Sequence, residues 1–503
     1  MRSTFMGFET ATRGLMSSQK ALDTVGNNVA NVGVTGYTRQ RVDLVSLSLN
    51  TRYSRYSSHG AASLSGQGSK ITGIAQIRDP YLDKRFRTEY AEVGYFDTVS
   101  AILTDVEQSL SEIEPTTITS ALTKLENAIA ELQGESNIVN SSSVMTAART
   151  LTQVFSQVST KLNNQWAQEQ EQLKTSVGQV NSLLEQISHL NGIIRDEITI
   201  SYGGTYDVYG PNEMMDQRNV LIDELSKHAD ITVYNEPDGT VTITMGQDNH
   251  VALEGTTHDR IVMDKGKAEK SVTFTWKTTG DPTNFATGSL QAAYNMLNGR
   301  GIGASPSKGE SLDNGILYYM DKIDTFAKTL ANAFNSVVPI VDADGALTGK
   351  YKQLFSFGGD GEETAANMTV NSMWLEDASY LITDIHVTGE GEADTTYASN
   401  LITLFTSRHD FGEFQGTFTE YVSFYTNSQL GTDIDYFNTC LQTSEEVSES
   451  VLNEISEVSG VSLDEEGIDM TQWTKAYNAM SRVLTAMDEA LDKLINETGL
   501  VGR

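Results

Sequence analysis

The stretch MTQWTKAYNAMSRVLTAMDEALDKL, residues 470–494, decides how this chain folds. Its apolar residues Met470, Trp473, Tyr477, Met480, Leu484, Met487, Leu491 and Leu494 alternate three and four apart. That spacing lays them in one stripe along an α-helix. No Gly or Pro falls between Asp469 and Asn496. Upstream, Ser462-Leu463-Asp464-Glu465 reads as a capping box, in which the Ser hydroxyl accepts from the N3 amide and the Glu reaches back. Gly499 marks a stop. Burying each large apolar side chain is worth about 1.5–3 kcal/mol, so a stripe of this length calls for a partner surface.

The other end of the chain repeats the theme more weakly. The spacing predicts a helix from Thr4 to Asn31. Phe8, Leu15, Leu22 and Val29 recur every seven residues, and Ala11, Ser18 and Val25 lie three positions after the first three. This is the pattern of a helix that packs along a seam. Gly7, Gly14 and Gly26 each cost about 1 kcal/mol relative to Ala, so the helix depends on packing. Its charged residues are few: Glu9, Arg13, Lys20 and Asp23. The remaining outer face, of Ser, Thr, Gln and Asn, suits contact with further protein.

Between the ends, helical spacing covers Glu92 to Ile113, Thr117 to Leu132, and a long run from Ser142 to about Ile198. The character changes near Tyr202. Short alternating runs, Ile231 to Tyr234, Val241 to Met245 and Val272 to Trp276, read as strands. A helix is expected from Leu312 to Val338, then a turn-rich acidic region from Asp342 to Asp394. Helical pattern resumes at Tyr397 and is expected to continue to the end. The chain thus goes out through helices, makes a β-rich excursion, and returns through helices. The expected fold class is multidomain and mainly α with a β-rich middle.

The 503 residues suggest about three domains. The formal net charge of −32 argues against a nucleic-acid binder, whose phosphate contacts need a basic stripe. It argues equally against anionic membranes. No apolar run approaches the roughly 18 residues that span a bilayer. The start, Met1-Arg2-Ser3-Thr4-Phe5, carries no apolar core of a secretory signal. The single cysteine, Cys440, can form no internal disulfide and no zinc site alone; it reads as a small, partly buried residue.

No catalytic constellation emerges. Gly299-Arg300-Gly301-Ile302-Gly303 has the glycines of a phosphate loop but follows helical sequence and lacks the Gly-Lys-Ser/Thr ending. His250, Glu254 and His258 would share a helical face, yet Gly255-Thr256-Thr257 favours a turn. Asp342-Ala343-Asp344-Gly345 echoes a calcium loop, but Ile340 stands where its first carboxylate belongs. Asp216-Gln217-Arg218 reads as a charged helix start with Asp near the positive dipole end. We therefore expect no enzyme, no cofactor and no metal.

Ala30-Asn31-Val32-Gly33-Val34-Thr35-Gly36-Tyr37-Thr38-Arg39-Gln40 resembles the signature that closes the first helix of flagellar rod, hook and hook-associated proteins. Its Tyr-Thr-Arg-Gln ending is similar to the family of the first hook-associated protein, the hook–filament junction subunit. Ser459-Gly460-Val461-Ser462-Leu463-Asp464-Glu465-Glu466 and Ala476-Tyr477-Asn478-Ala479 resemble that family's last helix. The run from Asp216 to Ser226 resembles its Asp-x-Arg-Asp-x-Leu element. The resemblance implies a terminal coiled-coil domain (1–55 with 462–503) lining an inner tube. It further implies a helical rod-like domain (56–200 with 397–461) and an outer β-rich domain (201–396). It implies an assembly interface at Phe8, Leu15, Leu22, Val25, Val29, Asn31, Gly36, Tyr37, Arg39 and the stripe from Trp473 to Leu494. Its implied partners are further copies of the chain, hook protein below, a second junction protein and filament above, and an export chaperone at the C-terminal helix. Export to the flagellum outside the cell would proceed without a cleaved signal peptide. A hook or rod subunit, or a secreted enzyme acting through its middle domain, are the alternatives.

Overall fold

The computed structural model describes all residues except 1–3, 48–67, 112–116, 203–209, 267–269, 307–308, 342–345, 359–362, 384–395 and 498–503. The chain opens with α1 (Thr4–Ala30), then β1 (Gln40–Ser46) and β2 (Ser69–Gln76), which pair antiparallel. Next come α2 (Pro80–Ser111), α3 (Ile118–Gly134), the 65-residue α4 (Ile138–Tyr202) and α5 (Asn212–His228). Strands β3 (Ile231–Asn235), β4 (Val241–Met245), β5 (His250–Glu254) and β6 (Thr257–His258) form one antiparallel meander. A second joins β7 (Ile261–Lys265), β8 (Val272–Trp276) and β9 (Pro282–Thr283). Helices α6 (Ser289–Asn298) and α7 (Ile316–Phe334) follow. Three short hairpins punctuate the return: β10 (Pro339–Val341) with β11 (Leu347–Tyr351), β12 (Phe355–Phe357) with β13 (Met368–Val370), and β14 (His409–Asp410) with β15 (Gln415–Gly416). Around them lie α8 (Ser372–Glu376) and α9 (Thr396–Thr406). The chain closes with α10 (Phe418–Ser423), α11 (Leu430–Ser459) and α12 (Leu463–Asp492).

The chain divides into two compact units. The first comprises residues 1–90, 180–260 and 445–503. Its buried core includes Leu184, Ile187 and Ile194 of α4, Ile222 and Leu225 of α5, and Val241, Ile243, Ala252 and Leu253 of the β3–β6 sheet. Strand β4 shows the expected period of two: Val241, Ile243 and Met245 are buried and the threonines between them less so. The second unit comprises residues 91–179 and 261–444. Its core is aromatic. Phe326 packs on Phe155, Phe411, Phe418 and Tyr421 with ring centres 5.5–6.0 Å apart, within the range where such pairs are favourable.

Several elements depart from the sequence reading. Helix α2 begins at Pro80, well before Glu92, because Pro fits the first helical position, where no amide partner is needed. Helix α7 begins at Ile316 and not Leu312, since Ser311 is drawn into a bridge with Gly299. Helical pattern does not run unbroken from Tyr397: the β14–β15 hairpin intervenes, turning at Gly412, whose φ is +90°. The expected capping box at Ser462 is half formed. Its hydroxyl accepts from the Glu465 amide, but the Glu465 carboxylate turns to Arg39. A complete box stands instead at Thr417 and Glu420. The Asp342–Gly345 run and Gly499 lie outside the described residues.

Candidate assembly site at the terminal helices

Helices α1 and α12 pack antiparallel in the first unit. A Cβ added to Gly14 would stand 3.1 Å from Met480 Sδ, and one added to Gly7 would collide with Met487 Cε. Seven residues along α1 thus answer seven residues back along α12. Continuing in the same register brings Asn28 to Glu466, whose carboxylate accepts from Asn28 Nδ2 at 3.1 Å. Two of the glycines that weaken α1 as a helix, Gly7 and Gly14, are therefore the seats for two methionines of the stripe. Apart from Asn28, the buried residues of α1 are small: Ala11, Ser17, Ser18, Ala21, Thr24 and Val25. The hydroxyls of Ser18 and Thr24 are satisfied locally, by Gly14 O and Lys20 O, whereas Ser17 meets the Ser69 hydroxyl of β2 at 3.2 Å. Phe8, Leu15, Leu22 and Val29 are half-buried.

On α12 the stripe is incompletely covered. Trp473, Tyr477, Met480, Leu484, Met487 and Leu491 are half-buried, and Leu494 is exposed in a terminal π-turn. Met470, Val483 and Ile495 are exposed as well. Glu466 is the buried residue of this helix.

The turn after α1 locks this pair to the rest of the unit. Asn31 Nδ2 returns to Asn27 O at 2.9 Å. Gly36 adopts φ +79°, and a Cβ there would collide with Val220 of α5. Tyr37 OH donates to Asn28 Oδ1 at 2.9 Å. Thr38 donates twice to Asp216, from its amide at 3.1 Å and its hydroxyl at 2.6 Å. Arg39 Nε meets Glu466 at 2.7 Å, its Nη1 meets Glu465, and its amide donates to Ser459 O at 2.9 Å. Gln40 exchanges both backbone groups with the Asn28 side chain. Gly36 thus reaches α5 and Arg39 reaches α12, Asn31 and Tyr37 bond back to the end of α1, and Leu494 lies in the turn beyond α12.

The electrostatics follow from this crowding. Tyr37 is pushed up to about 12, by burial first and then by Glu213, Asp216 and Glu466. Burial also raises Asp216, against the opposing pull of the Thr38 bonds and Arg78. For Arg39, the bonds and charges of Glu465 and Glu466 outweigh burial and hold its pKa above the ordinary value.

The sequence predicts Asp216 at a charged helix start. Helix α5 in fact begins at Asn212, and Asp216 and Arg218 are both buried on its inner side. For Arg218 the available signal is its register: it shares one helical face with Ile222 and Leu225, so a charge there stands among core positions. Asn28, Gln76, Asn191 and Glu466 were not singled out either. Gln76 Nε2 adds a third donor to Asp216 at 2.8 Å.

The other candidates take structural roles. His250 and His258 sit on adjacent strands, and His250 Nε2 faces Asp259 at 3.1 Å. Arg300, amid the glycines, forms an ion pair with Asp321 at 2.6 Å. Cys440 is half-buried on α11. Among the described residues no His, Cys, Asp and Glu group is arranged to hold a metal, and no helix is long and apolar enough to cross a membrane.

Comparison with known proteins adds the following. The family model described as the flagellar hook-associated protein FlgK helical domain matches residues 103–351. A flagellar basal body rod FlgEFG protein C-terminal model matches residues 441–497, and a flagella basal body rod protein model matches residues 8–38. These last two cover most of α12 and α1. Flagellar hook-associated protein 1 of Bacillus subtilis is 30% identical over the full length of both chains. Its Salmonella typhimurium namesake is 26% identical over 69% of this chain and 59% of its own. The solved structure of the flagellar hook junction protein FlgK from Burkholderia pseudomallei aligns with 55% of this chain and 47% of its own. Its identity is 17% and its TM-score 0.42, below what would establish a common fold.

Proposed function

The chain belongs to the flagellar hook-associated protein 1 family, and from that premise we propose that it forms the hook–filament junction by packing against copies of itself through α1 and α12. It is a structural component of the flagellum, and we assign it no catalytic role. One observation carries the assembly reading: the α12 stripe is only half covered by α1, leaving Met470 and Leu494 exposed in a single chain. Apolar surface arranged in a continuous helical stripe is a contact surface awaiting a partner.

On this reading residues 1–55 and 462–503 form the inner domain, with the helical and β-rich segments outside it. Hook protein would lie below, and a second junction protein and filament above. The same stripe would be held by a chaperone before export, which would proceed without a cleaved signal peptide. Deleting Met470 to Arg503 tests the proposal. The truncated chain should stay soluble, fail to assemble, and leave cells shedding filament protein. Normal attached filaments in that mutant would overturn it.

A further inference from the structure

Away from the terminal helices, the first unit encloses a cavity of about 360 Å³ between α2, α5 and the β3–β4 hairpin. Arg78, Lys84, Arg87 and Arg218 line it, against two lining carboxylates, Asp83 and Glu236. The lining itself thus carries more cations than carboxylates, with Asp216, Asp223 and Asp238 close enough to act on Arg78 or Arg218. The carboxylates nearby are engaged. Asp83 holds Arg78 at 2.6 Å and Asp223 holds Arg87 at 2.7 Å. Asp216 is taken by Thr38 and Gln76, and Glu236 accepts from Thr242.

Arg218 makes no hydrogen bond or ion pair with a carboxylate, and only the charge of Asp238 acts on it favourably. It is 5% exposed, and its Nη1 donates only to neutral acceptors, Asn191 Oδ1 at 2.9 Å and Gly239 O at 2.7 Å. Its Nε and the Nη2 of neighbouring Arg87 are enclosed with no hydrogen-bond partner. Burial, then the charges of Arg87 and Arg78, lower its pKa to about 10. A guanidinium this buried is costly unless an anion compensates it. Each of the three arginines carries five N–H donors, and among their enclosed nitrogens Arg218 Nε and Arg87 Nη2 have no acceptor. Ile198, Met215 and Ile231 wall the cavity with apolar surface, which strengthens any charge interaction inside.

We propose that this cavity is a binding site for a small oxoanion of the size and charge of inorganic phosphate, held by Arg78, Arg87 and Arg218 with Lys84 at its rim. The anion supplies the bonded negative charge that Arg218 lacks. Planar guanidiniums suit tetrahedral oxoanions because they donate in parallel pairs.

The test is thermal unfolding and calorimetric titration of the full chain with inorganic phosphate, against sodium chloride at matched ionic strength. Phosphate should raise the melting temperature saturably and chloride should not, since a ligand of the folded state stabilises by mass action. Arg218→Gln should weaken phosphate binding by about tenfold or more. Lys84 is exposed, so Lys84→Gln leaves the fold intact and should weaken binding by about threefold. Equal effects of phosphate and chloride would overturn the proposal. So would saturable phosphate binding that survives Lys84→Gln unchanged.

Discussion

Glu466 is 1% exposed and receives two donors, Asn28 Nδ2 and Arg39 Nε. Replacing it with Gln keeps the shape but sets an NH2 group against one of those donors. Breaking a buried ion pair costs about 3–5 kcal/mol; Arg39 is partly exposed and keeps Glu465, so Glu466→Gln should cost about 2 kcal/mol. For a unit of this size that is a fall of about 4–8 °C in melting temperature, readable by circular dichroism. An unchanged midpoint would mean that the Asn28–Glu466–Arg39 contacts contribute no net stability. The motif Gly36-Tyr37-Thr38-Arg39 was visible in the sequence, but its partners were not. Glu466 follows Asp464 and Glu465 at a helix start, where the dipole favours any acid. Which of the three is buried is decided by Asn28, 438 residues away along the chain. Likewise, Asp216 is indistinguishable from a surface acid until Thr38 lies against it.

Elements were more legible than their contacts. The three–four spacing located α12 and the unbroken pattern located α4, because helical period is a local property. What Gly7 and Gly14 do was not local: each reads as a weakness until Met487 and Met480 occupy the space beside it. That pairing predicts a shared fate for the two helices. Met480→Ala with Met487→Ala should destabilise the pair by about 1–2 kcal/mol per residue, at the low end for methionine truncation because both are half-buried. Hydrogen exchange should then quicken in α1 and α12 together, while β3 to β5 keep their protection. Faster exchange in α12 alone would break the proposed dependence. A second element-level effect lies in α4, whose buried stripe is interrupted by Glu169, 8% exposed. Burial first, then Asp105 of α2, raises its carboxyl from 4.5 to about 7. The folded chain therefore keeps this proton where the unfolded chain has lost it. Stability is full below pH about 4.5 and declines as pH rises through about 7. Glu169→Gln should remove that decline and stabilise the chain above pH 7 by about 1 kcal/mol, allowing for solvent screening. Parallel melting curves of the two proteins across pH 5–8 would contradict this.

At the scale of the molecule, helical ends around a β-rich middle were legible in the sequence, but the chain does not simply go out and return: it passes between the two units four times. The division into units was less legible. The composition change near Tyr202 marks the end of α4, whereas the unit boundary at Val180 falls inside that helix, where no turn or linker announces it. The same scale sets how copies meet. Each chain carries a net charge of −32, so copies repel over about one Debye length, near 10 Å at 0.1 M salt and 3 Å at 1 M. The attraction proposed to join them is apolar, from the exposed part of the α12 stripe, and salt screens it little. Raising sodium chloride from about 0.05 M to 1 M should therefore strengthen self-association, by about tenfold or more if screening removes about 1.4 kcal/mol of repulsion per contact. Sedimentation velocity at fixed protein concentration reads this directly. The chain lacking Met470 to Arg503 should remain monomeric at both salts, because the repulsion is screened but the stripe is gone. Association that weakens as salt rises would mean that ion pairs, and not the half-covered stripe, join one copy to the next.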